Sequence, residues 1–216
     1  MSVLTQLTVV QWLGLIAGIL LFLGPGMLLG EALRLRAYCD LTQRIILALA
    51  MSMAALTIAL AALDLVALSL SPPIFGALLA LCWLAYLWLN RPGQPRPTDS
   101  HVAASKLETG ALWAIALLIA IVQLAVVRGV VAQPGSDGYH HTLIAQTIAE
   151  RGALPKDLLP LTPLITFTYH YGYHAVVAAL HWLSGAPILA LTVIVAQLLK
   201  AGAALTAALL AEVTIG

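Results

Sequence analysis

Long apolar runs alternate with short polar segments along the 216 residues of this chain. Four such runs occupy residues 9–30, 45–68, 74–89 and 111–132. The first contains Gly24-Pro25-Gly26, which predicts a kink or loosening near its end. The lengths of the four runs approach or exceed the roughly 20 residues that a helix needs to cross a bilayer. In lipid, only helices and closed barrels satisfy all of their backbone hydrogen bonds, so the four runs predict transmembrane helices.

The last apolar region, 174–216, is interrupted at 184–187 by a Ser-Gly-Ala-Pro segment. It predicts a partial helix, a span over 188–199 and the start of another helix over 203–216, with Lys200 and Gly202 as the interruption between them and Lys200 as a positive charge on the cytoplasmic side. Hydrophobic residues make up 62% of the chain and charged residues only 9%, whereas soluble domains carry about 25% charged residues. We therefore expect an all-α, polytopic membrane protein of five or six spans.

Polar segments divide the chain into three parts. Residues 1–90 predict a helical module of three spans. Residues 91–110 predict a linker, because three closely spaced prolines favour extended backbone over helix. Residues 111–216 predict a second module, in which a long polar loop covers 133–171.

Basic residues predict how the chain is oriented. Lys and Arg cluster after the first and third spans, and the turn after the second span has none. Because short cytoplasmic connections are rich in Lys and Arg, the 91–110 linker is predicted to be cytoplasmic. The N-terminus and the 133–171 loop are then extracytoplasmic. The net charge of +1 gives no indication of nucleic-acid binding.

Asp137 is the most informative residue, because it stands directly after the fourth span and before a tyrosine and two histidines. Residues 139–151 predict a juxtamembrane amphipathic helix that lies on the membrane surface and ends at Gly152. A partly desolvated carboxylate at a membrane edge can act as a general base. The structural alternative for Asp137 is a turn or N-cap residue that opens this helix.

A second cluster follows at 168–174, where His170 and His174 are separated by one helical turn and alternate with tyrosines. Both histidines would lie on the same face of a helix. They are candidates for site residues, with interfacial packing beside Tyr171 and Tyr173 as the alternative.

Two motifs resemble those of the GT-C superfamily, the polytopic glycosyltransferases that use polyprenyl-phosphate sugars. Asp137-Gly138-Tyr139-His140 resembles the acidic motif in the first large external loop of that family. The segment from Tyr169 to His174 is similar to the aromatic-histidine segment of bacterial members, where the chain re-enters the membrane. The resemblance covers about 111–199. It implies sugar transfer at the outer face of a bacterial cytoplasmic (inner) membrane.

The resemblance also implies roles for individual residues. Asp137 is expected to be the catalytic base. The expected substrate-binding residues are Tyr139, His140, His141, His170, His174, Arg128 and Arg151. Asp137 and His140 are candidate ligands for a divalent cation, Mg or Mn. The expected partners are a polyprenyl-phosphate-linked sugar, membrane lipids and other membrane subunits.

The chain departs from the family in two ways. Three spans precede the one that leads into the acidic loop, where family members usually begin, and family members are far longer, so we interpret the chain as the N-terminal part or a reduced relative of such an enzyme. The alternative function is a non-catalytic accessory or scaffold subunit of a membrane complex, with histidines that bind haem or chlorophyll. Five of the six histidines are predicted in loops or at membrane edges, which favours the transferase.

Overall fold

The structure, a computed structural model, describes residues 2–91, 106–132, 135–159, 163 and 170–215. Its α-helices are α1 Val9–Phe22, α2 Gly24–Ala32, α3 Leu41–Leu65, α4 Pro72–Leu89, α5 Lys106–Val126, α6 Gly135–Arg151, α7 Gly172–Ser184 and α8 Ile188–Ile215. Short 3-10 helices cover Val3–Thr5 and Leu35–Ala37. The molecule is 79% helical and has no strand in its described parts, which confirms the predicted all-α class.

Five segments are long and apolar enough to cross a membrane, as expected for a multi-pass protein. They are Val9–Ala32, Leu41–Leu65, Pro72–Leu89, Leu107–Val126 and Ile188–Glu212. Most of the 91–110 linker, and the part of the polar loop that includes Tyr169, lie outside the described residues.

The first span consists of α1 and α2, which meet at the predicted Gly24-Pro25-Gly26 interruption. Proline has no N–H to donate and disturbs the preceding turn of a helix. At this break the Gly26 N–H donates to Ser52 Oγ of α3 at 2.8 Å. A Cβ atom on Gly26 would overlap the backbone carbonyl of Ala48. The glycine therefore allows α2 and α3 to pack backbone to backbone.

α6 begins at Gly135, four residues before the predicted start at residue 139. Gly135 adopts a φ of +81°, a conformation that glycine tolerates and most residues avoid. Asp137 consequently lies in the first turn of α6 rather than in the loop before it. The predicted end is confirmed, because Gly152 has a φ of +65° and its N–H bonds the carbonyl of Ile148 at 2.8 Å.

α8 continues unbroken from Ile188 to Ile215, so the prediction of a separate helix over 203–216 is wrong. Lys200 and Gly202 were expected to interrupt the helix. Lysine has no effect on the backbone hydrogen bonds of a helix, and a single glycine costs only about 1 kcal/mol relative to alanine. The polar head of Lys200 bonds to Gln197 and Gln123 instead.

α7 forms the centre of the core. Seven consecutive residues of this helix, from His174 to Leu180, are buried, and the helix contacts α1, α3, α4, α6 and α8. A helix that is buried on every side has no polar face to present. Gly185, with a φ of +65°, ends α7 and turns the chain into α8.

The two ends of the bundle can be traced by hydrogen bonds. At one end the Leu70 N–H donates to the Gly152 carbonyl at 2.7 Å, and Gln11 Nε2 donates to the Gly185 carbonyl at 2.9 Å. These bonds place the start of α1, the α3–α4 turn and the end of α6 together. At the other end Arg36 bonds Asn90 at 2.6 Å and Gln43 bonds Glu212 at 3.1 Å. Successive spans thus begin at opposite ends of the bundle, in agreement with the predicted topology. Which end faces the cytoplasm stays a prediction.

Candidate functional site

A carboxylate and two histidines form a continuous chain between α6 and α7. Asp137 Oδ2 lies 3.3 Å from Nε2 of His141, one turn further along α6. Nδ1 of His141 lies 2.8 Å from Nε2 of His174 on α7. The two imidazole rings stack with centroids 5.0 Å apart. Both ring nitrogens of His141 thus face a partner, so the proton positions of the three groups are linked.

Exposure falls steeply along this chain. The side chain of Asp137 is 82% exposed and that of His141 is 20% exposed, whereas His174 is 1% exposed. The carboxylate is therefore accessible to a ligand that approaches from solvent, and the two histidines lie beneath it. This arrangement suits Asp137 as a general base, because its carboxylate can accept a proton at the surface while the histidines hold it in position.

Burial determines the protonation of His174. Desolvation lowers its pKa from an ordinary 6.5 to about 4, and the neighbouring His141 acts in the same direction. A hydrogen bond with the backbone of His170 and the charge of Asp137 oppose this effect. His174 is consequently neutral at pH 7.

Tyr173 holds the two histidine helices against α8. Its hydroxyl donates to the backbone carbonyl of Thr192, and burial raises its pKa above the ordinary value. The ring meets His141 edge to face at a centroid distance of 5.7 Å. Tyr173 therefore packs beside the site, as the alternative interpretation of the tyrosines anticipated.

Asp137 also opens onto a cavity of about 410 Å³ between α5, α6 and α8. The lining residues are Val126, Val127, Val130, Asp137, Gly138, Val193, Gln197 and Lys200. Lys200 Nζ lies 2.8 Å from Gln197 Oε1 and 3.3 Å from Gln123 Oε1. The cavity therefore combines a carboxylate, an ammonium group and an amide on otherwise apolar walls.

Lys200 is the functional candidate that sequence reasoning missed, because it was used only as a positive charge and a helix interruption. A signal was present. A lysine near the middle of a candidate membrane span is rare and is a functional hypothesis by default. Its position opposite Asp137 depends on the packing of α6 against α8, which local sequence does not specify.

Of the other predicted site residues, one lies near His174 and the rest lie outside the cavity of Asp137. His170 lies near His174, with which its backbone forms a hydrogen bond. Tyr139 and His140 are exposed and contact each other, with ring centroids 5.8 Å apart, and neither lines the cavity. Arg128 is exposed in the turn after α5 and is also absent from the lining.

Arg151 is not brought to the site. It lies at the far end of α6, where it pairs with Asp157 at 3.5 Å and donates to the Leu159 carbonyl at 2.8 Å. A second ion pair, Lys156 to Asp64 at 3.2 Å, attaches the same segment to α3. Arg151 therefore stabilises the segment that follows α6 and does not line the cavity of Asp137.

The residues present do not fit the divalent cation that the resemblance implies. The carboxylate of Asp137 contacts His141 rather than the proposed co-ligand His140. Throughout the described residues, no group of three or more His, Cys, Asp or Glu side chains is arranged to hold a metal ion. No chemical step below uses a metal.

Comparisons of the chain with protein-family models, curated proteins and solved structures found no match. The GT-C resemblance therefore rests on the two motifs alone.

Proposed function

We propose that this protein is a membrane glycosyltransferase, or the N-terminal part or a relative of one, which transfers a sugar from a polyprenyl-phosphate donor on the extracytoplasmic side. The observation that carries the proposal is the series of contacts from Asp137 through His141 to the buried His174, together with the cavity onto which Asp137 opens and which Lys200 also lines. A carboxylate and an ammonium group thus line one cavity, which supports their assignment as base and cation.

In the proposed reaction, Asp137 accepts the proton of the acceptor hydroxyl as its oxygen attacks the anomeric carbon. The bond between that carbon and the phosphate oxygen breaks, and the polyprenyl phosphate leaves with the electron pair. Catalysis of this kind needs a base at the acceptor and a positive charge at the leaving group. Asp137 supplies the first and Lys200 the second.

His141 and His174 are positioning residues in this proposal. His141 holds the exposed carboxylate from one side, and the buried His174 fixes the ring of His141. An exposed aspartate without such support would sample several rotamers. Orientation of a catalytic group contributes to rate because the reacting atoms must meet in a narrow range of geometries.

The decisive test is an Asp137→Asn variant, assayed for transfer from a panel of radiolabelled polyprenyl-phosphate sugars in membranes that contain the protein. We expect a loss of roughly 100-fold or more, the usual contribution of a general base. Asp157→Asn is the matched control, because Asp157 is also a solvent-accessible carboxylate of this region, but it pairs with Arg151 and accepts from the Leu159 N–H rather than facing the cavity.

Two results would contradict the proposal: wild-type protein that transfers no sugar from any donor, or full activity in Asp137→Asn. An absorbance spectrum of the purified protein addresses the accessory-subunit alternative. A Soret or chlorophyll band would favour that alternative over the transferase.

A further inference from the structure

A second, apolar cavity of about 630 Å³ lies between α1, α3, α5 and α8. Its lining is formed almost entirely by aliphatic side chains; Trp113 and Thr206 carry the only polar side-chain atoms among the described residues that line it. The indole N–H of Trp113 is directed to Thr42 at 3.1 Å. We call this cavity the apolar groove.

The apolar groove adjoins the cavity of Asp137 where α5 ends. Trp113, Ala116 and Ala120 line the groove from one stripe of α5, at spacings of three and four residues. Gln123 continues that stripe, and its amide oxygen accepts a hydrogen bond from Lys200. Val126, the last residue of α5, lines the Asp137 cavity, as do Val127 and Val130 of the segment that follows the helix.

The same junction appears on α8. Leu198 and Leu199 line the apolar groove, while Gln197 and Lys200 line the Asp137 cavity. An apolar space thus ends at an exposed ammonium group that forms no ion pair among the described residues. That combination is complementary to an amphiphile with a hydrocarbon chain and an anionic head.

We propose that the apolar groove binds the hydrocarbon chain of an isoprenoid phosphate, with the phosphate against Lys200 and Gln123. This inference rests on the proposed function, since the same lipid phosphate would carry the sugar to Asp137. An ammonium group is a natural partner for a phosphate. The groove volume is within the range of roughly 300–1,000 Å³ for small-ligand sites.

The proposal gives the N-terminal module a role in the site. α1 and α3 form one wall of the apolar groove through residues such as Ile19, Leu23 and Leu49. Both helices precede residues 111–199, to which the family resemblance is confined. Substrate binding would then depend on both modules, although the base belongs to the second.

Photolabelling of the full chain tests this proposal without measuring sugar transfer. The purified protein is placed in phosphatidylcholine nanodiscs with farnesyl phosphate that carries a diazirine at the far end of its chain. We expect labelled peptides from the groove stretches of α5 and α8. Undecaprenyl phosphate should compete with the label at least tenfold better than phosphatidylglycerol.

Gly202→Leu should reduce labelling at least tenfold by filling the apolar groove. Gly202→Ala is the matched control, because a Cβ at this position meets only Leu49 Cδ2, at 3.9 Å. Lys200→Gln should reduce labelling by the phosphate probe to the level of the equivalent farnesol probe. Lys156→Gln removes a lysine outside both cavities and should leave labelling unchanged. Size-exclusion profiles establish that each variant is folded.

Label outside the apolar groove, labelling that is insensitive to Gly202→Leu, or equal competition by phosphatidylglycerol would each overturn the proposal. The two proposals fail separately. A protein that is labelled as expected but transfers no sugar contradicts the proposed function alone. A protein that transfers sugar but is not labelled in the groove contradicts only the position of the lipid chain.

Discussion

At the scale of single residues, the site is a gradient from an exposed carboxylate to a buried imidazole. Asp137 was predicted as the catalytic base, and His141 and His174 were predicted as separate substrate-binding residues. Their contacts make them one unit, in which only Asp137 reaches the solvent fully. A substitution at either histidine should therefore act through the position and protonation of Asp137.

His174 should make the stability of the protein depend on pH. Its pKa is about 4 in the folded protein, against an ordinary 6.5. Below about pH 6.5 the unfolded chain gains a proton that the folded protein does not bind, so the free energy of unfolding decreases from there to about pH 4. The full decrease corresponds to roughly 3 kcal/mol. We expect a lower melting temperature at pH 5 than at pH 7.5 in detergent.

Two variants separate this effect from general acid sensitivity. His174→Gln lacks the titrating group, so the difference between its melting temperatures at the two pH values should shrink. His140→Gln removes an exposed histidine of the same region and should retain the wild-type difference. An unchanged difference in His174→Gln would show that another group is responsible.

At the scale of helices, close backbone contact at Gly26 should be essential for the packing of α2 on α3. Gly26→Ala would place a methyl group against the Ala48 carbonyl, and overpacking of this kind costs about 1–3 kcal/mol or more. Gly76→Ala is the control, because its new Cβ has nothing within 4 Å and alanine favours a helix by up to about 1 kcal/mol.

Thermal unfolding of the two variants in detergent measures this difference. We expect Gly26→Ala to melt several degrees below the wild-type protein and Gly76→Ala to melt at or slightly above it. Equal melting temperatures for the two variants would mean that α2 and α3 move apart to accept the methyl group at Gly26 without a loss of stability.

The helices could be predicted from sequence where local signals dominate. Apolar runs gave the spans, the Gly24-Pro25-Gly26 segment gave the break in the first span, and Gly152 gave the end of α6. The start of α6 was missed because it depends on the positive φ of Gly135, which the pattern of apolar residues does not reveal. The continuity of α8 was missed because Lys200 is accommodated by glutamines on α5 and α8.

The candidate site was predictable only in part, for the same reason. Asp137 and the histidines belong to short motifs that a reader of the sequence can recognise. The pairing of His141 with His174, and the position of Lys200 beside Asp137, arise from contacts between distant segments. The guanidinium group of Arg151 is suited to binding phosphate, but in the structure it pairs with Asp157 and donates to the Leu159 carbonyl.

At the scale of the whole molecule, the Asp137 cavity and the apolar groove lie at different depths along the axis of the helical bundle. The Asp137 cavity lies beside Lys200, the thirteenth residue of α8, which is roughly 18 Å along that helix from its start. The apolar groove continues from there toward the end where Gln43 meets Glu212. A lipid bound as proposed would extend from the middle of the bundle toward its opposite end.

The predicted sidedness can be tested on the intact molecule by cysteine labelling. Cys39 and Cys82 are first replaced by serine, and single cysteines are introduced at Ser2, Asp157 and Asn90. Ser2 and Asp157 belong to the end where α1 starts and α6 finishes, and Asn90 belongs to the other end. The distribution of Lys and Arg predicts that the first end is extracytoplasmic.

We therefore expect a membrane-impermeant maleimide to label Ser2→Cys and Asp157→Cys in intact spheroplasts, and Asn90→Cys only after permeabilisation. The reverse pattern would place Asp137 on the cytoplasmic side and remove the proposed extracytoplasmic reaction. Opposite behaviour of Ser2→Cys and Asp157→Cys would contradict the shared end of the bundle itself.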